Sequence, residues 1–190
     1  MVGAVLTQNT SWSNVEKAIA NLKTHHHLDA EAIANASHQQ LAHWLKPSGY
    51  FNIKAKRLQN FCRWYQAQGG YAALNRLDTV ALRKALLDVN GIGPETADDI
   101  VLYAFHRPVF VIDAYTRRLL TRLGLVEGEE SYEELRAFCE RGLVRVAEPV
   151  QIFNEFHALI VMHAKVSCKK NPLCESCAIE RHCPAIGVSA

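Results

Sequence analysis

Four of the six cysteines in this 190-residue chain fall within its last 23 residues, at Cys168, Cys174, Cys177 and Cys183. Thiols this close together tie a short loop to itself. A disulfide framework would instead spread its bridges to staple distant parts of a small secreted domain. A tight quartet in a chain with its own core points to a bound metal. Four thiolates suit a [4Fe–4S] cluster or a tetrahedral zinc ion. The gaps of five, two and five residues contain only one of the Cys-x2-Cys pairs usual in zinc ribbons. Cys62 and Cys139 sit singly in helical patterns and read as small core residues.

Hydrophobic residues make up 49% of the chain and charged residues 21%, enough apolar material for a core and too much for a disordered tail. No apolar run reaches the ~18 residues of a membrane helix. The opening Met-Val-Gly-Ala-Val-Leu has no basic flank and makes a poor signal peptide. The expectation is a soluble cytoplasmic protein, a monomer with no membrane contact. Its formal charge of +2 is small, so any nucleic-acid contact must come from local basic patches.

The periodicity predicts an all-α chain of about eight helices. Val15, Ala18, Ile19 and Leu22 share one face, as do Leu58, Phe61, Cys62 and Tyr65. Ser37 with Gln40, and Ser131 with Glu134, have capping-box spacing. Asp78 and Asp113 stand where N-caps belong. Val109–Ile112 reads as a short buried extended stretch. The last long helix, from Val150 to about Val166, is expected to bury Ile152, Phe156, Leu159, Ile160 and His163 together. His25-His26-His27 reads as a solvated loop.

Asn90-Gly91-Ile92-Gly93-Pro94 links two helices by a tight turn. Ile92 can plug between them, and Pro94 suits a first helical position. Glycine allows positive φ and close approach of another backbone. Amides near Gly91 and Gly93, beside a helix N-terminus, suit a phosphate. The same pattern also serves an ordinary helix–turn–helix connection.

Gly91-Ile92-Gly93-x-x-Thr96-Ala97, then Val111-Ile112-Asp113 and the cysteine quartet, together resemble the helix-hairpin-helix base-excision DNA glycosylases of the endonuclease III type. Leu6-Thr7-Gln8-Asn9-Thr10-Ser11-Trp12 and Lys54-Ala55-Lys56-Arg57-Leu58 fit as well. The resemblance covers nearly the whole chain. It implies two all-α domains with a DNA groove between them: a six-helix domain at 1–107, its hairpin at about 78–105, and an iron–sulfur cluster domain at 108–190. It favours iron–sulfur over zinc, although the family has six residues in the first cysteine gap where this chain has five. Members begin earlier, so Met1 falls inside a truncated N-terminal helix, which puts the alkylpurine pocket in doubt.

Asp113 matches the family's catalytic Asp. Cleaving an N-glycosidic bond builds positive charge on the sugar, which an ionised carboxylate stabilises while orienting water. Bifunctional members carry a Schiff-base Lys two positions beyond the second hairpin glycine. Here that residue is Glu95, which cannot form an imine, so a monofunctional enzyme is implied. The run from Gly93 to Ala104 looks closest to the 3-methyladenine DNA glycosylase III branch, which implies an alkylated purine flipped from duplex DNA. Trp12 aligns with a pocket aromatic of that branch, and Glu95 would border the pocket. Gln8 or Asn9 would fill the gap in the duplex. Gly91, Gly93, Lys54, Lys56, Arg57, Lys169 and Lys170 would contact its backbone. Oxidised pyrimidines or mismatched bases are alternative substrates, and a non-catalytic DNA-binding module is the alternative to an enzyme.

Overall fold

The computed structural model describes residues 1–188. Among these, eleven α-helices and three short 3-10 turns account for all the regular structure, and there is no strand. The all-α expectation holds. The chain divides into two compact units, one running from Met1 to Phe105 and the other starting at His106.

The first unit contains α1 (Val2–Leu6), α2 (Trp12–Thr24), α3 (Ala30–Asn35), α4 (His38–Trp44), α5 (Phe51–Ala67), α6 (Gly70–Leu74), α7 (Thr79–Leu87) and α8 (Pro94–Phe105). Helix α5 is its axis, with α1, α3, α4 and α6 packed around it. It buries Ala55, Leu58, Phe61 and Cys62. Each large apolar side chain so buried stabilises by about 1.5–3 kcal/mol before ordering costs. Asp78 caps α7 by accepting from the Ala81 N–H at 2.8 Å. Ser37 Oγ caps α4, accepting from Gln40 N at 3.2 Å and donating to Gln40 Oε1. The histidine run is not simply solvated, because His25 and His27 both pack on the Trp44 ring, at 4.8 and 4.5 Å between centroids.

Lys54 requires a correction. Expected to reach phosphates, it is the most deeply buried lysine, 1% exposed. Its Nζ donates to Leu6 O at 2.9 Å and to Ser48 O at 2.6 Å. Both carbonyls lie at the ends of helical turns whose last acceptors lack intrahelical partners. The ammonium therefore ties α1 and the Lys46–Ser48 turn to α5, leaving nothing for DNA.

The second unit contains α9 (Ala114–Arg122), α10 (Tyr132–Gly142) and α11 (Pro149–Val166). Val109, Phe110, Val111 and Ile112 are all buried, as expected, in a stretch without helix. Phe110 meets Phe153 edge-on at 5.5 Å, and its N–H donates to Glu140 Oε1. Ser131 and Glu134 form the predicted reciprocal capping box on α10. The buried face of α11 differs from expectation. It consists of Phe153, His157, Ile160 and Ala164, while Phe156 and Leu159 are 38% and 55% exposed. The helix is apolar around much of its circumference, so two stripes compete, and packing on α9 selects one.

Candidate active site

The hairpin is built as its residues require. Val89 and Ile92 are buried, and Ile92 N donates to Val89 O at 3.0 Å, closing the turn between α7 and α8. Gly91 has φ +99°, a region closed to most L side chains. A Cβ there would also lie 2.4 Å from Arg57 Cγ. At Gly93 a Cβ would meet nothing within 4 Å. The space over Gly93 is thus open backbone at the start of α8, which suits the approach of an anion.

Gln8 is the hub beside this turn. Its Nε2 donates to Thr96 Oγ1 at 2.8 Å and lies 3.5 Å from Gly91 O. Arg57 Nη1 donates to its Oε1. Gln8 is therefore half-buried and engaged inside this unit. Its neighbour Asn9 is exposed, with φ +53°. Trp12 opens α2 half exposed, with one edge of its ring against Gly3. Glu95 is exposed in the first turn of α8. Lys56 is exposed and Arg57 half-buried.

In the second unit Asp113 is the N-cap of α9. Its Oδ1 accepts from Thr116 N at 2.7 Å, as cap spacing predicts. Its Oδ2 faces His157 Nε2 at 3.7 Å. The Asp113 side chain is 13% exposed. Burial pushes its carboxyl upward, but the His157 ring and the Thr116 amide outweigh burial and hold it below the ordinary carboxylate value. The group is ionised at neutral pH. The sequence does not single out His157, because the apolar pattern of α11 admits a second stripe that leaves it outside.

The four cysteines line a single cavity of about 230 Å³, together with Arg122, Leu119, Ile179 and His163. None of them is in a disulfide. Among the described residues, no three His, Cys, Asp or Glu side chains converge tightly enough to grip one ion. Two arginines of α9 shape the loop. Arg118 donates to Cys168 O from Nε and Nη2, at 3.0 and 2.9 Å. Arg122, nearly buried, donates to Cys168 Sγ at 3.2 Å, to Lys169 O at 2.6 Å and to Lys170 O at 2.9 Å. The donor set, all sulfur with a guanidinium hydrogen bond to one of the four, is of the kind an iron–sulfur cluster takes. The Lys169 and Lys170 side chains remain exposed while their backbone is fixed. Arg118 and Arg122 were also missed, although their i, i+4 spacing toward the end of α9 is visible in the sequence.

Residues 2–144 match the model of the HhH-GPD superfamily of base excision DNA repair proteins. Among curated relatives, the Methanocaldococcus jannaschii protein MJ1434, named as a DNA repair glycosylase, is 44% identical over 96% of this chain and 83% of its own length. The endonuclease III of Thermotoga maritima is 28% identical over 96% of this chain and 80% of its own length. Among solved structures, the H. pylori 3-methyladenine DNA glycosylase MagIII bound to 1,N6-ethenoadenine superposes with a TM-score of 0.77 and 33% identity. That match covers 86% of this chain and 82% of the other. A non-covalent endonuclease III–DNA complex shares the fold, with a TM-score of 0.79, 21% identity and coverage of 96% of this chain and 80% of the other. A hairpin with open backbone at Gly93, an ionised capping aspartate and these matches together place the chain in the HhH-GPD superfamily of base excision DNA repair proteins.

Proposed function

We propose that the protein is a monofunctional DNA glycosylase that removes an alkylated purine such as 3-methyladenine from duplex DNA. The observation that carries this is Asp113, a carboxylate held ionised and oriented and not wholly buried. An N3-alkylated purine is already cationic. As its glycosidic bond breaks, the bonding pair leaves with the base, which departs neutral. Positive charge builds at the sugar, and the Asp113 carboxylate stabilises it. Water adds at the same carbon, and Asp113 takes its proton. Glu95 supports the monofunctional mode, because no amine is present there to attack the sugar. The 33% identity to MagIII supports the alkylpurine class.

In this reading Gly91, Gly93, Lys169 and Lys170 hold the DNA backbone, Asn9 or Gln8 enters the duplex, and Trp12 with Glu95 borders the extruded base. Using Gln8 in this way would break its bonds to Thr96 and Arg57. Cys168, Cys174, Cys177 and Cys183 would hold a [4Fe–4S] cluster, a choice supported by four sulfur donors lining one cavity and by the resemblance to the endonuclease III type. When bound, such a cluster would tie together the loop carrying Lys169 and Lys170.

The test is incubation with methylated duplexes and with oxidised-pyrimidine duplexes, scoring free base, alkali-labile sites and borohydride-trapped adducts. The expected result is free alkylpurine with abasic sites and no trapped adduct. A trapped adduct overturns the monofunctional mode. Release only of oxidised pyrimidines overturns the substrate class, and binding without release overturns the enzyme. Brown protein with about four irons per chain is expected. Stoichiometric zinc in place of iron overturns the cluster.

A further inference from the structure

Asp113 is gripped from two elements. One oxygen is committed to the α9 N-terminus through Thr116 N, and the other faces an imidazole on α11. His157 is 8% exposed and occupies a core position in the stripe Phe153, His157, Ile160 and Ala164. An apolar residue there would pack as well and would avoid the cost of burying a polar ring. The ring instead stands 3.7 Å from Oδ2 and supplies the largest of the influences that keep Asp113 ionised against burial. One hydrogen bond leaves a carboxylate free to rotate about its Cβ–Cγ bond, whereas a second contact on the other oxygen fixes its plane. The 3.7 Å separation exceeds a direct hydrogen bond, and such contacts commonly shorten when the reacting complex forms.

We infer that His157 is a positioning residue for base excision: it acts through Asp113, setting the plane of the carboxylate, without touching the DNA. The inference rests on Asp113 being the catalytic carboxylate proposed above. A small misplacement of such a group costs about 10- to 100-fold in rate.

The test compares His157→Gln with His157→Met in the full, cluster-loaded chain. The two side chains have nearly the same shape, but only Gln keeps a donor near the imidazole Nε2 position. Single-turnover release of alkylpurine from a methylated duplex gives the rate. Affinity for a duplex bearing a tetrahydrofuran abasic analogue gives binding. His157→Met is expected to lose about 10- to 100-fold in rate with affinity nearly unchanged, while His157→Gln recovers most of the rate. Equal rates for the two variants, or a rate loss matched by an affinity loss, overturns the inference.

Asp113→Asn separates the two levels. If it is inactive while His157→Met is fully active, only the role of His157 fails. If it is fully active, the Asp113 reading fails first. Should neither His157 variant fold, the 15N resonances of the His157 ring are compared in the wild type and Asp113→Asn. A clear shift is expected, and unchanged resonances overturn the inference.

Discussion

The stem of Arg57 lies directly over the hairpin glycine Gly91, so close that a Cβ on Gly91 would sit 2.4 Å from Arg57 Cγ. Gly91→Ala therefore meets both a positive φ and an occupied space. It is expected to cost about 1–3 kcal/mol in urea unfolding. Duplex affinity should also fall, because Arg57 must move and its bond to Gln8 goes with it. Gly93→Ala, with open space around it, should leave stability within about 0.5 kcal/mol while lowering duplex affinity.

Asp113→Asn should separate fold from chemistry. Asparagine keeps the helix cap, so the fold should survive with only a small drop in melting temperature at neutral pH. Loss of the ionised carboxylate should slow base release by about 10²- to 10⁴-fold, measured in single turnover.

The acid limb of stability follows from the same residue. The Asp113 carboxyl is held below its ordinary value in the fold, so the folded state keeps it ionised at pH values where the unfolded chain binds a proton. Its contribution is complete above the unfolded value of about 3.9 and is lost as pH falls through the lower folded value. Unfolding titrations of the wild type and Asp113→Asn should run parallel above about pH 5 and converge below it.

Lys54 predicts the opposite end of the pH scale. Burial, with Arg57 adding to it, pulls its ammonium from 10.5 down to about 8. Between about pH 8 and pH 10.4 the unfolded chain holds a proton that the folded chain releases, so stability should rise with pH across that window. The neutral amine still donates twice, to Leu6 O and Ser48 O. Lys54→Met should abolish the rise and destabilise by about 1–3 kcal/mol for each carbonyl stranded without water.

Helices α7 and α8 are joined by Arg83 Nε donating to Asp98 Oδ1 at 2.6 Å, with Asp98 fully buried. Removing Asp98 takes both carboxylate acceptors away from a guanidinium that is mostly shielded from water. Asp98→Ala is expected to cost about 3–5 kcal/mol in chemical denaturation.

Much of this protein could be read along the chain because the deciding interactions are local. Asp78, Ser131 and Asp113 cap the helices that their spacing announces, since a cap reaches only three residues. The hairpin closes as Gly91, Ile92 and Pro94 require, and the cysteines line one cavity because only a few residues separate them. Local pattern was weaker where residues resemble one another. The short helices α1, α3 and α6 hold five or six residues each, too few for a periodic signal.

Tertiary packing decided the rest. Lys54 sits beside Lys56 and Arg57 in the sequence and looks like one of three surface cations, yet the turn of α5 points it inward onto two helix-end carbonyls. The amphiphilic pattern of α11 admits two buried stripes, and only its packing on α9 selects the one that sets His157 against Asp113 across 44 residues. Residue types and local spacing determined the helices, their caps and the identity of the reactive groups. Which groups face each other was settled by the three-dimensional core, because burial depends on the neighbours that arrive from elsewhere in the chain.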